Sequence, residues 1–402
     1  MNPAAVLVDT LIELEIGAPA HGGSCVARHD GQVVFVRHAL PGERVMARVT
    51  EQSKHFARAD AVEVLVASEH RVVPPCPAAR PGGCGGCDWQ HADAEFQRDI
   101  KATVVMEQLT RLAGIDRPVA VEALPGNGFG WRTRVRFAVD SSGRAGFRRH
   151  RSHEVEVVDG CPIAHPLVEA AGVESKRWDD THEVEVAVSV GSGARLVRTA
   201  AGRDGSMRVR EGGTLEEHAA GRRWRVSPGG FWQVHPDAAD VLTAAVMSGL
   251  QPRAGERALD LYAGVGLFAG SLAIAVGDSG HVIAVESSSV AAMDATRNLA
   301  ELPQAKLVRA DVALALGRPE QFGVVDLVVL DPPRSGAGAR VVGGIAGLHP
   351  RAIAYVACDP AALARDLATF ASHGYELTSM RGFDMFPQTH HVECVAILEV
   401  AR

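Results

Sequence analysis

The sequence predicts an α/β protein in which a doubly wound parallel sheet follows a small β-barrel and a mixed α+β central segment. Two observations support this. Short apolar strands alternate with helical stretches through residues 241–402, which is typical of a parallel sheet covered by helices. Residues 5–68 instead alternate apolar and polar side chains in short runs between turn residues, as in a small barrel. A chain of 402 residues is also long enough for two or three domains.

Composition and charge are those of a globular protein. Hydrophobic residues make up 47% and charged residues 22%, and no stretch approaches the ~20 apolar residues that a membrane helix needs. The beginning, MNPAAVLVDTLIELEIG, carries acids and no basic region. We therefore expect no signal peptide, no membrane contact and a cytoplasmic protein, acting as a monomer. The formal net charge of −7 gives nucleic acid no overall attraction, so local basic clusters matter more.

The first two segments carry the features that suggest RNA binding. Residues 1–68 are predicted to be a barrel of about five strands, and residues 69–240 to be a central domain with a helix near 92–114. Two arginine clusters in the central domain could contact a phosphate backbone, and only Asp140 opposes the first. The clusters are Arg132, Arg134, Arg136, Arg144, Arg148, Arg149 and Arg151, and then Arg222, Arg223 and Arg225.

The third segment, residues 241–402, contains seven candidate strands. The first ends in DLYAGVG, where Gly264 and Gly266 let the backbone approach a ligand before a helix begins. The next strand ends in Glu286, a carboxylate suited to ribose hydroxyls. We therefore expect a nucleotide-like cofactor at this edge. The strands are residues 257–262, 281–286, 306–310, 324–331, 353–357, 375–380 and 392–400.

Two further strands end in residue types suited to chemistry. The fourth runs into Asp331-Pro332-Pro333-Arg334, a stiff loop at the carboxyl edge of the sheet. The fifth ends at Cys358, which we expect at the same edge. Seven cysteines in a reducing context argue against disulfides, and Cys25 and Cys394 are expected to be buried core residues.

Four of the cysteines form a thiolate set. They are separated in sequence but flanked by glycines that allow tight turns, and such quartets bind zinc or an iron–sulfur cluster. Spacing does not distinguish the two. The four are Cys76, Cys84, Cys87 and Cys161.

Taken together, the motifs resemble the uracil-5 methyltransferases of tRNA and 23S rRNA. The resemblance rests on FWQVHP, DLYAGVG, LDPPRSGAG, YVACDPAALARDL, DMFPQTHHVE and the cysteine quartet, while HGGSCVARHDGQVVFVRHALPGERV resembles the TRAM domain, an OB-like RNA-binding barrel. The resemblance implies a class I methyltransferase fold with a seven-stranded sheet and S-adenosylmethionine as the cofactor. It also implies a structured RNA substrate, with 23S rRNA favoured over tRNA, and a [4Fe–4S] cluster rather than zinc at the cysteine quartet.

By the same resemblance, Cys358 is the nucleophile and Glu393 the general base. The chemistry requires both, because C5 of uracil attacks a methyl sulfonium only after a thiolate has added to C6, and the C5 proton must then leave. A target base inside a stem-loop would also have to be flipped out. The positions that match the family's cofactor contacts are Gln233, Tyr262, Glu286 and Asp331.

Two departures from the family pattern and several alternatives stay open. Asp359 follows the nucleophile where the family has Asn, and a charge there should raise the thiol pKa unless it points elsewhere. His235 also replaces an Asn. A cytosine-5 enzyme would have a second Cys where Arg334 stands, and an adenine-N6 enzyme would have an aromatic residue after the prolines. A tRNA enzyme and a non-catalytic iron–sulfur RNA-binding protein are the remaining alternatives.

Overall fold

The computed structural model describes residues 7–202 and 205–401, so the outer limits of the predicted first and last domains, residues 1 and 402, fall outside it. The chain begins with a six-stranded sheet that curls into a barrel, one strand more than predicted because a two-residue strand joins its edge. Its order is β1-β5-β6-β4-β3-β2, with β4 and β6 parallel. The strands are β1 (Leu11–Glu15), β2 (Pro19–Ala20), β3 (Ser24–His29), β4 (Gln32–Arg37), β5 (Arg44–Gln52) and β6 (Phe56–Val66).

Helix α1 (Ala94–Gln108) connects the barrel to the rest of the chain. It begins where Asp93 accepts a hydrogen bond from the backbone N–H of Phe96, and it continues into a π-helical turn, Leu109–Ala113. A short strand, β7 (Val121–Ala123), then joins the C-terminal sheet. The α1–β7 stretch, which sequence analysis groups with the central segment, therefore packs into the C-terminal core. The boundary at residue 240 stays a prediction.

The central region is a twisted antiparallel sheet with an added hairpin. The sheet has the order β10-β9-β8-β11-β12-β13, and β14 and β15 form a separate two-stranded hairpin. The elements are β8 (Arg134–Val139), β9 (Ala145–Arg148), β10 (Val155–Val157), α2 (Pro166–Glu169), β11 (Thr181–Val188), β12 (Arg195–Ala201), β13 (Met207–Glu211), β14 (Leu215–Ala219) and β15 (Arg222–Val226).

The C-terminal region is the predicted doubly wound sheet, and the fold class is confirmed. All seven candidate strands form, in the order β18-β17-β16-β19-β20-β22-β21, with β7 as an eighth edge strand and β22 antiparallel. The elements are α3 (Ala238–Leu250), β16 (Arg257–Leu261), α4 (Leu267–Val276), β17 (His281–Glu286), α5 (Ser289–Asn298), β18 (Ala305–Arg309), α6 (Val312–Leu316), β19 (Leu327–Leu330), α7 (Gly338–Ala346), β20 (Ala352–Ala357), α8 (Pro360–Ser372), β21 (Tyr375–Asp384) and β22 (Glu393–Val400), plus a 3₁₀ turn at Pro319–Gln321.

Burial explains why these strands are central. Tyr355, Val328 and Val329 are fully buried, because helices cover both faces of the sheet. Cys25 and Cys394 are also fully buried, as expected for core cysteines. Within the described ranges, no helix has the length and apolar character to cross a membrane.

Candidate active site

The ends of neighbouring strands place the predicted catalytic residues at one edge of the C-terminal sheet. Asp331 follows β19, Cys358 follows the adjacent β20, and Glu393 begins the next strand, β22. Ala357 is paired with Cys394, so the next position along the antiparallel ladder sets Cys358 opposite Glu393. All three residues line one cavity of about 830 Å³.

Cys358 is a partly buried thiol among charged groups. Burial, followed by the negative charges of Glu393 and Asp331, raises its pKa to about 12, and the positive charge of Arg334 opposes this increase. The neighbouring Asp359 points away from the thiol: Oδ1 accepts a hydrogen bond from the backbone N–H of Ala362 at 2.8 Å and caps α8. The conflict expected from this family departure is thus relieved by the helix cap.

Asp359 also reaches the barrel. Its Oδ2 lies 3.1 Å from Nε2 of His21, in the turn before β3. Burial would raise the pKa of Asp359, but the hydrogen bonds from His21 and Ala362 lower it. The second departure, His235, is buried, and its Nδ1 accepts a hydrogen bond from the backbone N–H of Asp237 at 3.2 Å, next to the start of α3. Both replacements therefore make contacts that an Asn could also make.

Glu393, which is buried, and Asp331, which is half-buried, interact electrostatically at this edge. Burial raises the pKa of Asp331 to about 7. Burial also raises the pKa of Glu393 well above its usual value; the charge of Asp331 adds to this increase and that of Arg334 opposes it. The two carboxyl groups therefore cannot both ionise easily, and each is a stronger proton acceptor than an exposed carboxylate.

The remaining predicted cofactor residues line the same cavity. Tyr262 and Gly264 lie on the loop after β16, Glu286 ends β17, and Gln233 comes from the segment before α3. The Glu286 carboxylate is held by two backbone N–H groups, Gly264 at 2.9 Å and Ser288 at 2.7 Å, and each oxygen keeps a lone pair for a hydroxyl donor. The cavity is large enough for a nucleotide-like ligand, and the donor set fits S-adenosylmethionine.

Sequence reasoning assigned no role to three residues that support this edge. Asp260 is fully buried beneath the loop, where Oδ2 accepts from the N–H of Ala269 at 2.7 Å. Asp366 of α8 accepts from Tyr355 and from the N–H of Ala337, and so holds the loop after the two prolines. His391 lines the cavity with its Nε2 3.5 Å from Arg334. His391 could have been found from the sequence because it lies in the HHVE motif beside Glu393. Asp366 carries no such signal, because it looks like an ordinary helix residue.

The pKa values of the buried acids predict a pH-dependent stability. Asp331 keeps its proton in the folded chain up to about pH 7, whereas the unfolded chain releases it near pH 4. The stabilisation is therefore complete below about pH 4 and lost as the pH rises through 7. Relative to Asp331→Asn, we expect the wild-type free energy of unfolding to fall between about pH 4 and 7, by up to ~1.4 kcal/mol per pH unit, and to level off above that range.

Urea unfolding of both proteins across this range measures the difference. The variant is needed as reference because burial lowers the pKa of histidines such as His38 and His91 to about 3 and 4, and these titrate with the opposite sign. A difference that is independent of pH would contradict the raised pKa of Asp331.

The cysteine quartet lies at a second cavity, of about 460 Å³, lined by all four thiols. Burial, together with the nearby thiols, raises the pKa of Cys84 and raises that of Cys161 to about 11. Over residues 7–202 and 205–401, no group of three or more His, Cys, Asp or Glu side chains is arranged to hold a metal ion. The predicted iron–sulfur site therefore stays a prediction.

The first arginine cluster is largely paired, unlike its appearance in the sequence. Strand β8 lies beside β11, whose Glu185 is 2.9 Å from Arg136, and Arg134 contacts Glu217 of β14 at 2.7 Å. Asp140 is thus one of several opposing acids. Arg132 is placed differently: it lines both the cavity that holds Cys358 and the cavity lined by the four quartet cysteines. The paired arginines still offer donors, but the cluster is less basic than its sequence implies.

Comparison with protein families agrees with this geometry. Residues 6–62 match the TRAM domain model, and residues 223–401 match the tRNA (Uracil-5-)-methyltransferase model. The fold resembles that of a tRNA (uracil-54, C5)-methyltransferase of Pyrococcus abyssi, solved with S-adenosyl-L-homocysteine, with a TM-score of 0.72 and 23% identity over 96% of this chain and 99% of the other. The architecture is that of a class I methyltransferase.

Two relatives extend the similarity to the whole chain. An uncharacterized RNA methyltransferase of Streptomyces avermitilis is 51% identical, covering 97% of this chain and 98% of the relative. The 23S rRNA (uracil(1939)-C(5))-methyltransferase RlmD of Shewanella halifaxensis is 32% identical, covering 97% and 96%. The chain belongs to the tRNA (uracil-5-)-methyltransferase family, with a TRAM domain, and is an S-adenosylmethionine-dependent RNA methyltransferase.

Proposed function

We propose that this enzyme makes 5-methyluridine in 23S rRNA through a covalent bond between Cys358 and C6 of the target uracil. The observation that supports it is the shared cavity: Cys358, Asp331 and Glu393 lie on adjoining strand ends, beside the residues suited to the cofactor. One thiol and one base with a raised pKa are the groups that C5 methylation of uracil needs.

In the proposed mechanism, the Cys358 thiolate adds to C6 and shifts electron density to C5. S-adenosylmethionine supplies the methyl group that C5 then takes. Glu393 removes the C5 proton, and the electron pair of that C–H bond restores the C5–C6 double bond as the Cys358 thiolate leaves. Arg334 favours the thiolate by its positive charge, while Asp331 faces the reacting base or the cofactor.

The cofactor roles of the other residues follow from their places around the cavity. We propose that Glu286 accepts the ribose hydroxyls, and that Tyr262 and Gln233 contact the remainder of the cofactor. The Glu286 oxygens are already aligned by two backbone N–H groups, so little ordering is needed when the ligand binds.

The choice of 23S rRNA over tRNA follows the relatives. Proteins named 23S rRNA (uracil(1939)-C(5))-methyltransferase RlmD are 32% and 33% identical over nearly the full chain, whereas the tRNA enzyme of known structure is 23% identical. The test is to map 5-methyluridine in rRNA and tRNA from a strain lacking the gene. Loss of one 23S rRNA site supports the proposal, and loss from tRNA alone would make the enzyme a tRNA methyltransferase.

We also propose that the cysteine quartet holds a [4Fe–4S] cluster with a structural role. The proposal rests on four thiols lining one cavity and on the resemblance of CGGCDWQH and DGCP to the family's cluster site. Methyl transfer needs no electron, so redox chemistry is not required of the cluster.

Anaerobically purified protein is expected to contain about four iron and four sulfide per chain. Cys84→Ala should lose most of both, because a cluster with three thiolates is held less tightly. Cys25→Ala, which removes a cysteine of the barrel core, is the matched control and should keep them. Stoichiometric zinc in wild-type protein would overturn the assignment.

We propose a corresponding division of labour in a cytoplasmic monomer. The barrel, residues 1–68, and the central domain, residues 69–240, bind the RNA around the target, and residues 241–402 carry out methyl transfer. The position of Arg132 between the two cavities supports an RNA path from the cysteine segment to Cys358.

A further inference from the structure

Asp88, the residue after Cys87, lies where three parts of the chain meet. Its Oδ2 is 2.6 Å from Nδ1 of His390 and accepts a hydrogen bond from the His390 backbone N–H at 3.0 Å. Its Oδ1 accepts a hydrogen bond from Arg37 of β4 at 3.3 Å. Only 7% of the side chain is exposed. The carboxylate thus joins the barrel, the cysteine segment and the segment that leads to Glu393.

The backbone repeats this connection. The N–H groups of Asp88 and Trp89 both donate to the carbonyl of Gln388, at 2.9 and 3.0 Å. The barrel also approaches closely at Gly23, where an added Cβ would lie 2.8 Å from Cγ of Asp88. The backbone of the barrel at Gly23 therefore packs directly against the Asp88 side chain.

The segment held in this way, residues 385–392, is an irregular connection between β21 and β22. Within it Gln388 has a left-handed backbone (φ 70°), which a non-glycine residue keeps only when neighbours fix it. Gln97 of α1 supplies one such contact, a pair of side-chain amide hydrogen bonds at 3.0 Å. Lys101 supplies another, donating to Asp384 at 2.5 Å and to the carbonyl of Phe386 at 3.1 Å.

These contacts differ in what they control. Lys101 and Gln97 hold the first half of the segment, up to Gln388. Asp88 alone among these side chains bonds His390, whose ring lines the catalytic cavity three residues before Glu393. A displaced His390 would therefore shift the start of β22 directly.

We propose that Asp88 is a positioning residue which, through His390, fixes residues 388–392 so that Glu393 faces the C5 proton of the substrate. The inference rests on the proposed role of Glu393. It also gives the segment that carries Cys84 and Cys87 a function in catalysis, because Asp88, the residue after Cys87, would position the base Glu393.

The test is a double-mutant cycle with Asp88→Ala, His390→Ala and the double variant, assayed with S-adenosylmethionine and a substrate rRNA fragment. We expect kcat to fall by about 10- to 100-fold in each single variant, the scale of a small displacement of a catalytic group. The double variant should be no slower than either single one. The KM for S-adenosylmethionine should stay within about twofold, since Glu286 and Tyr262 are not moved.

A second readout separates positioning from mere stability. If proton removal becomes slow, the RNA–Cys358 adduct accumulates during turnover, and denaturing gels should show it with Asp88→Ala and His390→Ala but not with wild type. Asp88→Asn, which keeps an acceptor for the His390 N–H, should recover part of kcat. Should Asp88→Ala fail to fold, Asp88→Asn and His390→Ala decide the matter.

His70→Ala is the matched control. Its ring Nδ1 lies 2.9 Å from Oδ2 of Asp93, an equivalent histidine–carboxylate pair that makes no contact with residues 388–392. This variant should keep wild-type kcat and form no adduct. Thermal unfolding and iron content of all variants complete the comparison.

Three results would overturn the inference: wild-type kcat in His390→Ala, additive losses in the double variant, or slow variants without adduct. If instead the wild-type enzyme makes no 5-methyluridine at all, the proposed function is wrong, and the inference about Asp88 is wrong for the same reason. The two failures are therefore distinguishable from one set of assays.

Discussion

Replacing Cys358 by alanine is expected to abolish methyl transfer while RNA binding survives. In the proposed mechanism the Cys358 thiolate activates C5, and no other described cysteine lines the cavity that holds Cys358, Asp331 and Glu393. Deleting a covalent nucleophile costs on the order of 10⁴- to 10⁶-fold in kcat. RNA affinity should change less than about threefold, because phosphate and base-stacking contacts supply most of it.

The measurement is transfer of a labelled methyl group to an rRNA fragment, with filter binding for affinity. Cys394→Ala is the matched control, because Cys394 is the residue after Glu393 but its side chain is fully buried in the sheet. It should keep most activity. Full activity in Cys358→Ala, or equal losses in both variants, would contradict the assignment of the nucleophile.

Glu393→Gln is expected to stop the reaction one step later. The thiol can still add and the methyl group can still be transferred, but the amide does not take the C5 proton. Elimination of Cys358 then fails, so the RNA stays covalently attached and turnover drops by about 10²- to 10⁴-fold, the contribution of general-base catalysis.

A slow band on a denaturing gel, dependent on S-adenosylmethionine, detects this state. The variant should fold, because the amide has the same shape as the carboxyl group that it replaces. Cys358→Ala combined with Glu393→Gln is the control and should give no band. Normal turnover without adduct in the single variant would show that another group removes the proton.

The catalytic edge could be predicted from sequence because its geometry follows from strand order. Residues that follow parallel strands meet at one edge, so Tyr262, Asp331 and Cys358 had to lie together once the strands were recognised. Strand order alone did not place Glu393, because its strand is antiparallel and begins, rather than ends, at this edge. The prediction for Glu393 came from the HHVE motif and its resemblance to the family.

Contacts between distant segments could not be predicted in this way. The orientation of Asp359 depends on His21 in the barrel, and the neutralisation of Arg136 depends on the neighbouring strand β11. The local sequence shows Arg136 but not the acidic residues that pair with it, because those residues lie on another strand. The same holds for Asp88, which meets His390 only because the cysteine segment docks against the loop before β22.

The most direct test of the covalent mechanism is to locate the bond in the trapped complex. Glu393→Gln is incubated with S-adenosylmethionine and the rRNA fragment, digested with protease and nuclease, and the modified peptide is sequenced by mass spectrometry. The mechanism predicts a methylated uridine nucleotide attached to the peptide that contains Cys358. A nucleotide attached to another cysteine, or an attached nucleotide without the methyl group, would contradict it.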